Sequence, residues 1–403
     1  MRKAVIVIGC SYGDEGKGLA AAQMVRRNEG PCLNVLINGG AQRGHTVDLE
    51  DGRRHVFHHF GAGAMFGAVS CADEDFIVNP MLCMQEREEL QREFSLSPRL
   101  MVSAKCRVST VYDMMLGQII EENRGAARHG SCGCGIYETR LRFETTDWAL
   151  RFGQLRSLTY DAYAAYCRRI VREYMPARLK ALGMTAGEAW RGLLEQEGLI
   201  LGSWADLQSM LLETECYEDW ALTAAEYPLL VFEAGQGLAL DEFNMRDFPH
   251  LTPSSTTSLA SARRIAALKG ETQTQILYVT RTYLTRHGAG PLPTQCAMED
   301  INPAIVDRTN MPNPHQQAIR YGMFDAQAVL ERVQQDCGRT REVLPDAACT
   351  VLVTHLNETG GRMAGGAELD AFMAHFDEGY ISDCPWSIRR RGGQEGREAS
   401  CAC

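Results

Sequence analysis

The chain has 403 residues, 45% of them hydrophobic and 23% charged, which is the composition of a globular protein with a sizeable apolar core. The formal net charge of −10 argues against a nucleic-acid-binding surface, because the only notable basic run is the three arginines at 389–391. No apolar run is long enough to span a membrane, and the first strand leads into a glycine loop instead of a signal-peptide cleavage site, so we expect a cytoplasmic protein with no membrane partner.

Five apolar segments are predicted to be strands. Three of them, at 4–9, 34–40 and 229–237, end in a glycine-bearing turn, and two more lie at 276–286 and 349–357. Continuously apolar strands are typical of a parallel sheet that is buried on both faces, and helical stretches lie between these segments. The sequence therefore predicts an α/β fold, with a mostly parallel central sheet flanked by helices.

The region from about 153 to 225 is predicted to be a helical insertion in this fold. Its core stripe recurs at helical spacing and consists of Tyr163, Tyr166, Ile170 and Tyr174. The pattern at 185–188 predicts a capping box that opens a further helix. Because we find no repeat and no linker, residues 1–388 are predicted to form a single domain and residues 389–403 a flexible tail.

Fifteen cysteines are scattered through apolar and loop segments, and without an export signal they are predicted to be reduced thiols. Two C-x-C pairs occur, at 132–134 and 401–403. A tetrahedral metal site usually needs a second pair or histidine partners, and neither pair has one nearby in the sequence. The cysteines therefore predict no metal centre, and their role stays open.

The first glycine loop follows the first strand and reads VIVIGCSYGDEGKG at 5–18. It departs from a Walker phosphate-binding loop at Ser11 and Gly18, but a strand that turns into a helix N-terminus still presents free amides to an anion, and Lys17 adds a full charge. Asp14 and Glu15 are unexpected beside phosphate oxygens. One interpretation is that both are favourable acids in the first turn of the helix.

A second glycine loop, NGGAQRGHT at 38–46, also follows a strand, so both loops are expected at the carboxyl edge of the sheet, where ligands bind. It presents His45 between Gly44 and Thr46, where there is little core to join. Asp14 and His45 at one phosphate site would serve as base and acid, or Asp14 would hold Mg²⁺ against the phosphates.

Six segments resemble, in order, the motif series of the adenylosuccinate synthetase family. They are GDEGKG at 13–18, GGAQRGHT at 39–46, VFEAGQG at 231–237, LTPSSTTS at 251–258, TRHGAGPLPT at 285–294 and VTHLNETGG at 353–361. The resemblance implies a fold related to that of P-loop proteins and a ligase that joins the amino group of aspartate to carbon 6 of IMP, using GTP and a 6-phosphoryl intermediate.

The resemblance also implies roles for individual residues. Asp14 corresponds to the base that takes the proton from N1 of the purine, and His45 to the acid partner that hydrogen-bonds the transferred phosphoryl group. Lys17 stabilises the charge on that group, and Gln236 reads the 6-position. The implied nucleotide-binding residues are Gly13, Glu15, Gly16, Gly18, Gln42, Gly44, Thr46, Ser131, Cys132, Thr252, His355 and Asn357. The implied ligands of Mg²⁺ are Asp14 and Gly44, and Arg140 or Arg142 would reach the site of a partner subunit in a homodimer.

Two departures from the family pattern leave the substrates open. Asn357 replaces the aspartate that reads guanine, and an amide with one acceptor and one donor suits adenine, so the phosphate donor is GTP or ATP. In the loop that holds aspartate, Arg320 is the arginine that remains, beside Gln316 and Gln317. Either Arg281, Arg286 or Arg308 supplies the missing charge, or another amino acid is used.

Three functions are therefore weighed. The first is an adenylosuccinate synthetase-like ligase that acts on IMP or a related purine monophosphate and joins it to L-aspartate or another amino acid. The second is the phage-type relative that conjugates GMP or dGMP to make 2-aminoadenylosuccinate, which the donor-site changes favour but Asp14 disfavours, because those enzymes carry serine there. The third is a catalytically inactive paralogue that binds nucleotides.

Overall fold

The structure, a computed structural model, describes residues 1–306 and 318–391. Its strands are β1 Arg2–Gly9, β2 Cys32–Leu36, β3 His45–Asp48, β4 Arg54–Phe57, β5 Val69–Ala72, β6 Ile77–Val78, β7 Leu100–Ser103, β8 Arg107–Val108, β9 Glu215–Tyr217, β10 Leu229–Gly237, β11 Thr272–Arg281, β12 Leu284–Arg286, β13 Gln295–Cys296, β14 Arg320–Gly322, β15 Ala348–Thr354, β16 Glu378–Cys384 and β17 Ser387–Arg390. Its helices are α1 Lys17–Arg26, α2 Pro80–Phe94, α3 Val111–Arg124, α4 Ile136–Thr145, α5 Tyr160–Arg169, α6 Met175–Ala181, α7 Glu188–Leu194, α8 Glu197–Glu213, α9 Trp220–Ala225, α10 Leu259–Ala266, α11 Met298–Ile301, α12 Ala326–Arg341 and α13 Leu369–Met373.

A ten-stranded sheet forms the centre of the described chain, in the order β17-β16-β15-β11-β1-β10-β2-β5-β7-β9. Neighbouring strands are parallel, except that β17 runs antiparallel to β16. The predicted α/β class with a mostly parallel central sheet is confirmed. None of the helices in this part of the chain has the length and apolar character needed to cross a lipid bilayer.

The central position of β1 explains its apolar sequence. Val5 and Val7 join the core on the face covered by α1, whereas Ile6 and Ile8 join a separate core on the opposite face. A strand buried on both faces needs apolar side chains in both directions. Since β1 lies between the parallel strands β10 and β11, the loops after all three strands meet at one edge of the sheet.

The segment predicted as one strand at 276–286 contains two. β11 ends at Arg281 and β12 begins at Leu284, in a small separate sheet with β14. The amide of Thr282 makes the last bond to β15, to the carbonyl of Thr354 at 3.2 Å. The chain then leaves the central sheet, since the carbonyl of Thr282 accepts the amide of Ala364 at 2.8 Å instead of a further bond from β15. As a result, β12 starts beside the turn that follows β15.

The predicted core residues of the helical insertion are found inside it: Tyr163, Ile170 and Tyr174 are buried and Tyr166 is half-buried. It is not helical throughout, however, because β9 extends the central sheet beside β7.

Two further predictions differ from the structure at their boundaries. The prediction of a capping box at 185–188 is wrong. Gly187 is the N-cap of α7, and the backbone of Thr185 is bonded to Asn123 on α3 instead. The predicted tail begins too early, because Arg389 and Arg390 belong to β17; residues 392–403 lie outside the described residues.

Glu86 on α2 is a buried carboxylate that fixes the segment after β4. Its Oε1 accepts the amide of His58 at 2.9 Å and its Oε2 accepts the amide of His59 at 2.6 Å. His58 Nδ1 lies 3.0 Å from the carbonyl of Ala41, in the second glycine loop. Burial alone would raise the pKa of Glu86, but the imidazoles of His55 and His59, each 3.7 Å away, outweigh this and hold the pKa well below its usual range.

Replacing Glu86 by glutamine is expected to lower the free energy of unfolding at neutral pH by about 2 kcal/mol, because a buried amide loses its acceptor. Folding lowers the pKa of this carboxyl, so its contribution is present above the ordinary value of 4.5 and is lost as the pH falls below it. When the free energy of unfolding is measured with urea from neutral to acidic pH, it should therefore fall less steeply in the variant than in the wild-type protein. Glu89→Gln, on the exposed face of α2, is the matched control, and equal acid sensitivity in both variants would contradict the assignment.

Candidate active site

The loop between β1 and α1 holds Asp14 in a left-handed backbone conformation. Gly13, Asp14 and Gly16 have φ of 89°, 61° and 92°. This conformation is costly for a residue with a Cβ, and Arg281 at the end of β11 supports it. The Nε of Arg281 donates to the carbonyl of Asp14, and its Nη2 lies 3.4 Å from the carboxylate Oδ2. The side chain of Asp14 is 21% exposed, so a fixed carboxylate faces the open edge of the sheet.

Glu15 and Lys17 are turned into the base of this loop. Their side chains are almost fully buried, Lys17 Nζ lies 3.9 Å from Glu15 Oε2, and Glu15 Oε1 accepts the amide of Ser11 at 2.6 Å. Burial raises the pKa of Glu15 to about 7 against the opposing effect of Lys17, and burial lowers the pKa of Lys17. The side chain of Glu15 therefore supports the loop from inside.

Helix α1 begins at Lys17, with Gly16 as its N-cap. The interpretation of Asp14 and Glu15 as acids of its first turn is wrong, because both residues precede the helix. The amides at the start of α1 have no partner within the helix, and together with the helix dipole they favour an anion.

His45, the first residue of β3, belongs to a buried triad with the ion pair of Arg43 and Glu233. Its Nδ1 lies 2.5 Å from Oε1 of Glu233 on β10, and the same oxygen accepts from Nη2 of Arg43 at 2.8 Å. The other oxygen, Oε2, accepts the amide of Ala62 at 3.0 Å. Burial alone would raise the pKa of Glu233, but Arg43 and His45 outweigh it and lower this pKa to about 2. Glu233 is thus an ionised acceptor that orients the imidazole.

The protonation of His45 follows from these neighbours. Burial, and then the charge of Arg43, lower the pKa of His45 to about 4, although Glu233 acts in the opposite direction. At neutral pH the ring is therefore neutral, with its proton on Nδ1 facing Glu233. An anion placed near Nε2 would favour a second proton, and the carboxylate of Glu233 would balance the resulting charge.

Close packing brings the loops of the site together. A Cβ at Gly18 would lie 2.5 Å from the carbonyl oxygen of Thr46 and 2.7 Å from the carbonyl carbon of His45, so α1 approaches β3 only because residue 18 is glycine. A Cβ at Gly13 would lie 3.8 Å from Oε1 of Gln236. The predicted catalytic residues Asp14, Lys17, His45 and Gln236 therefore share one edge of the sheet.

Asn38 ties the second loop to two others. Its Oδ1 accepts the amide of Gly235 at 2.7 Å, and its Nδ2 donates to the carbonyl of Ser255 at 2.8 Å. The 251–258 loop, which contains the predicted phosphate ligand Thr252, is fixed beside the others by this contact. Thr252 is itself buried, and its amide donates to the carbonyl of Leu240.

Two other predicted phosphate-binding groups, the turn at Ser131 and Cys132 and the side chain of Gln42, differ in their contacts. The turn that carries Ser131 and Cys132 directs the amides of Gly130 and Ser131 to Oε2 of Glu121, at 2.9 and 3.4 Å. The side chain of Gln42 folds back onto Gly39, where a Cβ would lie 2.8 Å from its Nε2. Both groups border the site, and their contact with a nucleotide stays a prediction.

Arg140 and Arg142 are separated by the structure. Arg142 is fully buried on α4 and forms a two-pronged ion pair with Asp113, at 2.8 and 2.9 Å, so it cannot reach a neighbouring subunit. Arg140 is 25% exposed and lies 2.7 Å from Glu242. Arg140 also bonds to Glu144 and to the carbonyl of Pro253, so its contact with a partner subunit stays a prediction.

A cavity of about 530 Å³ lies at the other end of the site, beside the turn Leu356–Thr359. The predicted base-reading residue Asn357 lines it and is exposed, together with Asp383 and Arg389, which form an ion pair at 3.1 Å. His355 has φ of 62° and its Nδ1 lies 2.7 Å from Thr354 Oγ1. The volume of the cavity is in the range of small-molecule sites.

The predicted amino-acid ligands are less well placed. Arg320 on β14 donates to Gln295 Oε1 at 2.9 Å and to the carbonyl of Gly290 at 2.8 Å. Arg286 is fully buried and donates to the carbonyls of Pro291 and His250. Both guanidinium groups thus hold loops of the protein, while Gln316, Gln317 and Arg308 lie outside the described residues.

Sequence reasoning gave no role to Glu233 and Arg43. A signal was present, because a glutamate inside the apolar run LLVFEAG must find a partner once that strand is buried. The identity of the partners was not readable, since Arg43 and His45 are about 190 residues away in the sequence and meet Glu233 only through the pairing of β10 with β2.

Comparison with known proteins identifies the family to which the chain is similar. Residues 6–340 match the family model of adenylosuccinate synthetase. The chain is 28% identical over 341 residues to the adenylosuccinate synthetase of Teredinibacter turnerae, covering 83% of this chain and 75% of that protein. It is 26% identical over 379 residues to the adenylosuccinate synthetase of a Marinomonas species, covering 91% of this chain and 83% of that protein.

Two solved structures share the fold. The fully ligated adenylosuccinate synthetase of Plasmodium falciparum aligns with a TM-score of 0.63 at 18% identity, covering 88% of this chain and 77% of that one. The succinoaminodeoxyadenylate synthetase PurZ of cyanophage S-2L, bound to dGMP and to dATP as an energy donor, aligns with a TM-score of 0.60 at 16% identity, covering 97% and 95%. The chain therefore belongs to the adenylosuccinate synthetase family, whose members are ligases that form C–N bonds.

Proposed function

We propose that this chain uses a purine nucleoside triphosphate to phosphorylate the 6-oxygen of a purine nucleoside monophosphate, and then joins the amino group of an amino acid to the same carbon. The observation that carries the proposal is the edge of the sheet where the fixed carboxylate of Asp14, the His45–Glu233 pair and the N-terminus of α1 meet. Proton abstraction and phosphoryl transfer need a base, a proton donor and a positively charged site that binds the phosphoryl group, all close together.

Each group has one task in the reaction. Asp14 takes the proton from N1 of the purine, so that the 6-oxygen attacks the γ-phosphorus and the nucleoside diphosphate leaves. His45 hydrogen-bonds the transferred phosphoryl group, and Glu233 balances the imidazole when it gains a proton. Lys17 and the amides of α1 stabilise the charge on the moving group, and Gln236 contacts the 6-position. The amino acid then displaces inorganic phosphate from carbon 6.

The residues present fit Mg²⁺. This ion is usually held by one or two carboxylates together with substrate phosphates, and Asp14 offers one carboxylate at the open edge. We propose Asp14 and the carbonyl of Gly44 as its protein ligands. Within the described ranges, no group of three or more His, Cys, Asp or Glu is placed to hold a metal ion. When bound, Mg²⁺ neutralises phosphate charge.

The acceptor is IMP or a 2-amino purine monophosphate. Asp14 supports IMP, on the expectation from the family resemblance that a serine stands here in the enzymes that conjugate GMP or dGMP. The near-complete overlap with PurZ, which was solved with dGMP, supports the second candidate.

A phosphate-release screen tests the proposal. It crosses IMP, GMP and dGMP with ATP and GTP, in the presence of Mg²⁺ and either aspartate or other amino acids. Release that requires both a monophosphate and an amino acid is expected. Tight nucleotide binding without release in any combination would instead identify a catalytically inactive paralogue.

Exchanging Asn357 for aspartate is expected to move the donor preference from ATP toward GTP. A carboxylate accepts from both N–H groups of guanine but offers no donor to N1 of adenine, and one such two-pronged contact is worth about 1–3 kcal/mol, or roughly 5- to 150-fold. The ratio of kcat/KM for the two donors measures the shift. Asn28→Asp, which adds the same charge at the end of α1, should leave the ratio unchanged, and an unchanged ratio in the Asn357 variant would refute the assignment of the cavity.

We also propose a cytoplasmic homodimer with a single catalytic domain. The cysteines of the described residues are free thiols, as in a reducing compartment. Phe243, Met245 and Phe248 are 76%, 64% and 67% exposed beside Arg140 and Glu242, and such a patch suits a protein interface. Sedimentation velocity should give a dimer that dissociates when Phe243 and Phe248 become serine. A monomer at every concentration of the wild-type protein would contradict the proposal.

A further inference from the structure

A hydrogen-bonded series of side chains connects Asp14 to the turn that carries Asn357. Nη1 of Arg281 donates to the hydroxyl of Tyr283 at 2.9 Å, and this hydroxyl donates to Oε2 of Glu358 at 2.5 Å. At its other end Arg281 contacts both the carbonyl and the carboxylate of Asp14. The series therefore runs from the proposed base to the proposed donor-base cavity.

The members of this series have little freedom to move. Tyr283 is 1% exposed, its ring lies 5.3 Å from the guanidinium of Arg281, and it meets the ring of His355 edge-on at 6.2 Å. The backbone of Glu358 is held as well, because its carbonyl accepts from Nδ2 of Asn302 at 2.6 Å. A buried hydroxyl between a guanidinium and a carboxylate has one favourable orientation, which links the position of the Glu358 carboxylate to that of the Arg281 guanidinium.

We propose that Arg281, Tyr283 and Glu358 form a coupling relay, through which a purine triphosphate in the 530 Å³ cavity beside Asn357 strengthens binding of the purine monophosphate at Asp14. The contacts from Glu358 to Asp14 are already formed, and a base seated against the turn Leu356–Thr359 would strengthen them by restricting the Glu358 carboxylate further, so that Asp14 spends more time in the orientation that the acceptor needs. The three are positioning residues. The inference rests on the proposed function for the identity of both ligands.

Binding measurements test the relay without turnover. Isothermal titration calorimetry gives the affinity for IMP and for dGMP with and without the β,γ-imido analogues of ATP and GTP. In the wild-type protein the analogue should tighten binding of the accepted monophosphate by about 5- to 20-fold, a usual size for coupling between two sites. In Tyr283→Phe this factor should fall below about twofold, with little change in the affinity for the analogue alone.

Control variants separate coupling from general damage. Tyr163→Phe removes a buried hydroxyl that donates to Ser203 in the insertion, and it should keep the wild-type factor. Glu358→Gln keeps an oxygen that accepts from Tyr283 and should retain most of the coupling, whereas Glu358→Ala should lose it. Thermal unfolding confirms that each variant is folded.

The possible results are distinct. An unchanged factor in Tyr283→Phe, or a wild-type protein that binds both ligands independently, would overturn the relay and leave the proposed function standing. A wild-type protein that binds neither nucleotide would overturn the proposed function together with the relay.

Discussion

Replacing Asp14 by asparagine is expected to lower kcat by about 1,000-fold, because loss of a general base usually costs about 100- to 10,000-fold. Asparagine has the same size, tolerates the left-handed conformation, and keeps the carbonyl that accepts from Nε of Arg281. It cannot take the proton from N1 of the purine. The loop should therefore keep its shape, and KM for the nucleotides should change far less than kcat.

Steady-state phosphate release and calorimetric binding of the monophosphate measure the two effects separately. Asp51→Asn, at the exposed turn between β3 and β4, is the matched control and should behave as the wild-type protein. If the Asp14 variant turned over at the wild-type rate, or lost binding and turnover in the same proportion, its role as the base would be refuted.

Replacing Glu233 by glutamine is expected to lower kcat by about 100-fold, at the lower end of the usual range for acid–base groups. Glutamine fills the same space but carries no charge to balance an imidazolium, so the pKa of His45, already lowered to about 4, falls further. Protonation of His45 beside the phosphoryl group then becomes rarer. The variant also leaves the buried Arg43 without a charged partner, and we expect a loss of about 3 kcal/mol in the free energy of unfolding.

A double-mutant cycle distinguishes a role through His45 from damage to the fold. His45→Ala should reduce kcat at least as much as Glu233→Gln, and the second change should add little once His45 is absent. Measuring kcat for both single variants and the double variant provides the comparison. Independent, multiplying effects would show that Glu233 does not act through His45.

The strands and the loops of the site could be predicted from the sequence because their signals are local. The run AVIVIG is apolar in both side-chain directions and is followed by glycines, so it specifies a central parallel strand and a turn. The boundaries depended on distant contacts. β11 stops at Arg281, and the carbonyl of the next residue, Thr282, accepts from Ala364 and not from β15; α7 starts after Thr185, whose backbone is held by Asn123.

The motif residues of the site could be predicted from the sequence, but the residues that hold them in place could not. Asp14 and His45 stand in glycine loops, and the pattern alone marks them for chemistry. Arg281 was considered only as an amino-acid ligand, because nothing in the sequence shows that β11 ends beside the loop of Asp14. Likewise, nothing in the sequence shows that Arg286 is buried and donates to backbone carbonyls instead of facing a substrate.

The central claim is that Asp14 activates the purine 6-oxygen to attack the γ-phosphorus of the donor. Its most direct test is positional isotope exchange in a donor with a heavy oxygen isotope at the β,γ-bridge. With Mg²⁺ and the accepted monophosphate, but no amino acid, the wild-type protein should move the label from the bridge to a non-bridging position. Asp14→Asn should not. Exchange in the absence of any monophosphate, or at the wild-type rate in Asp14→Asn, would contradict the account.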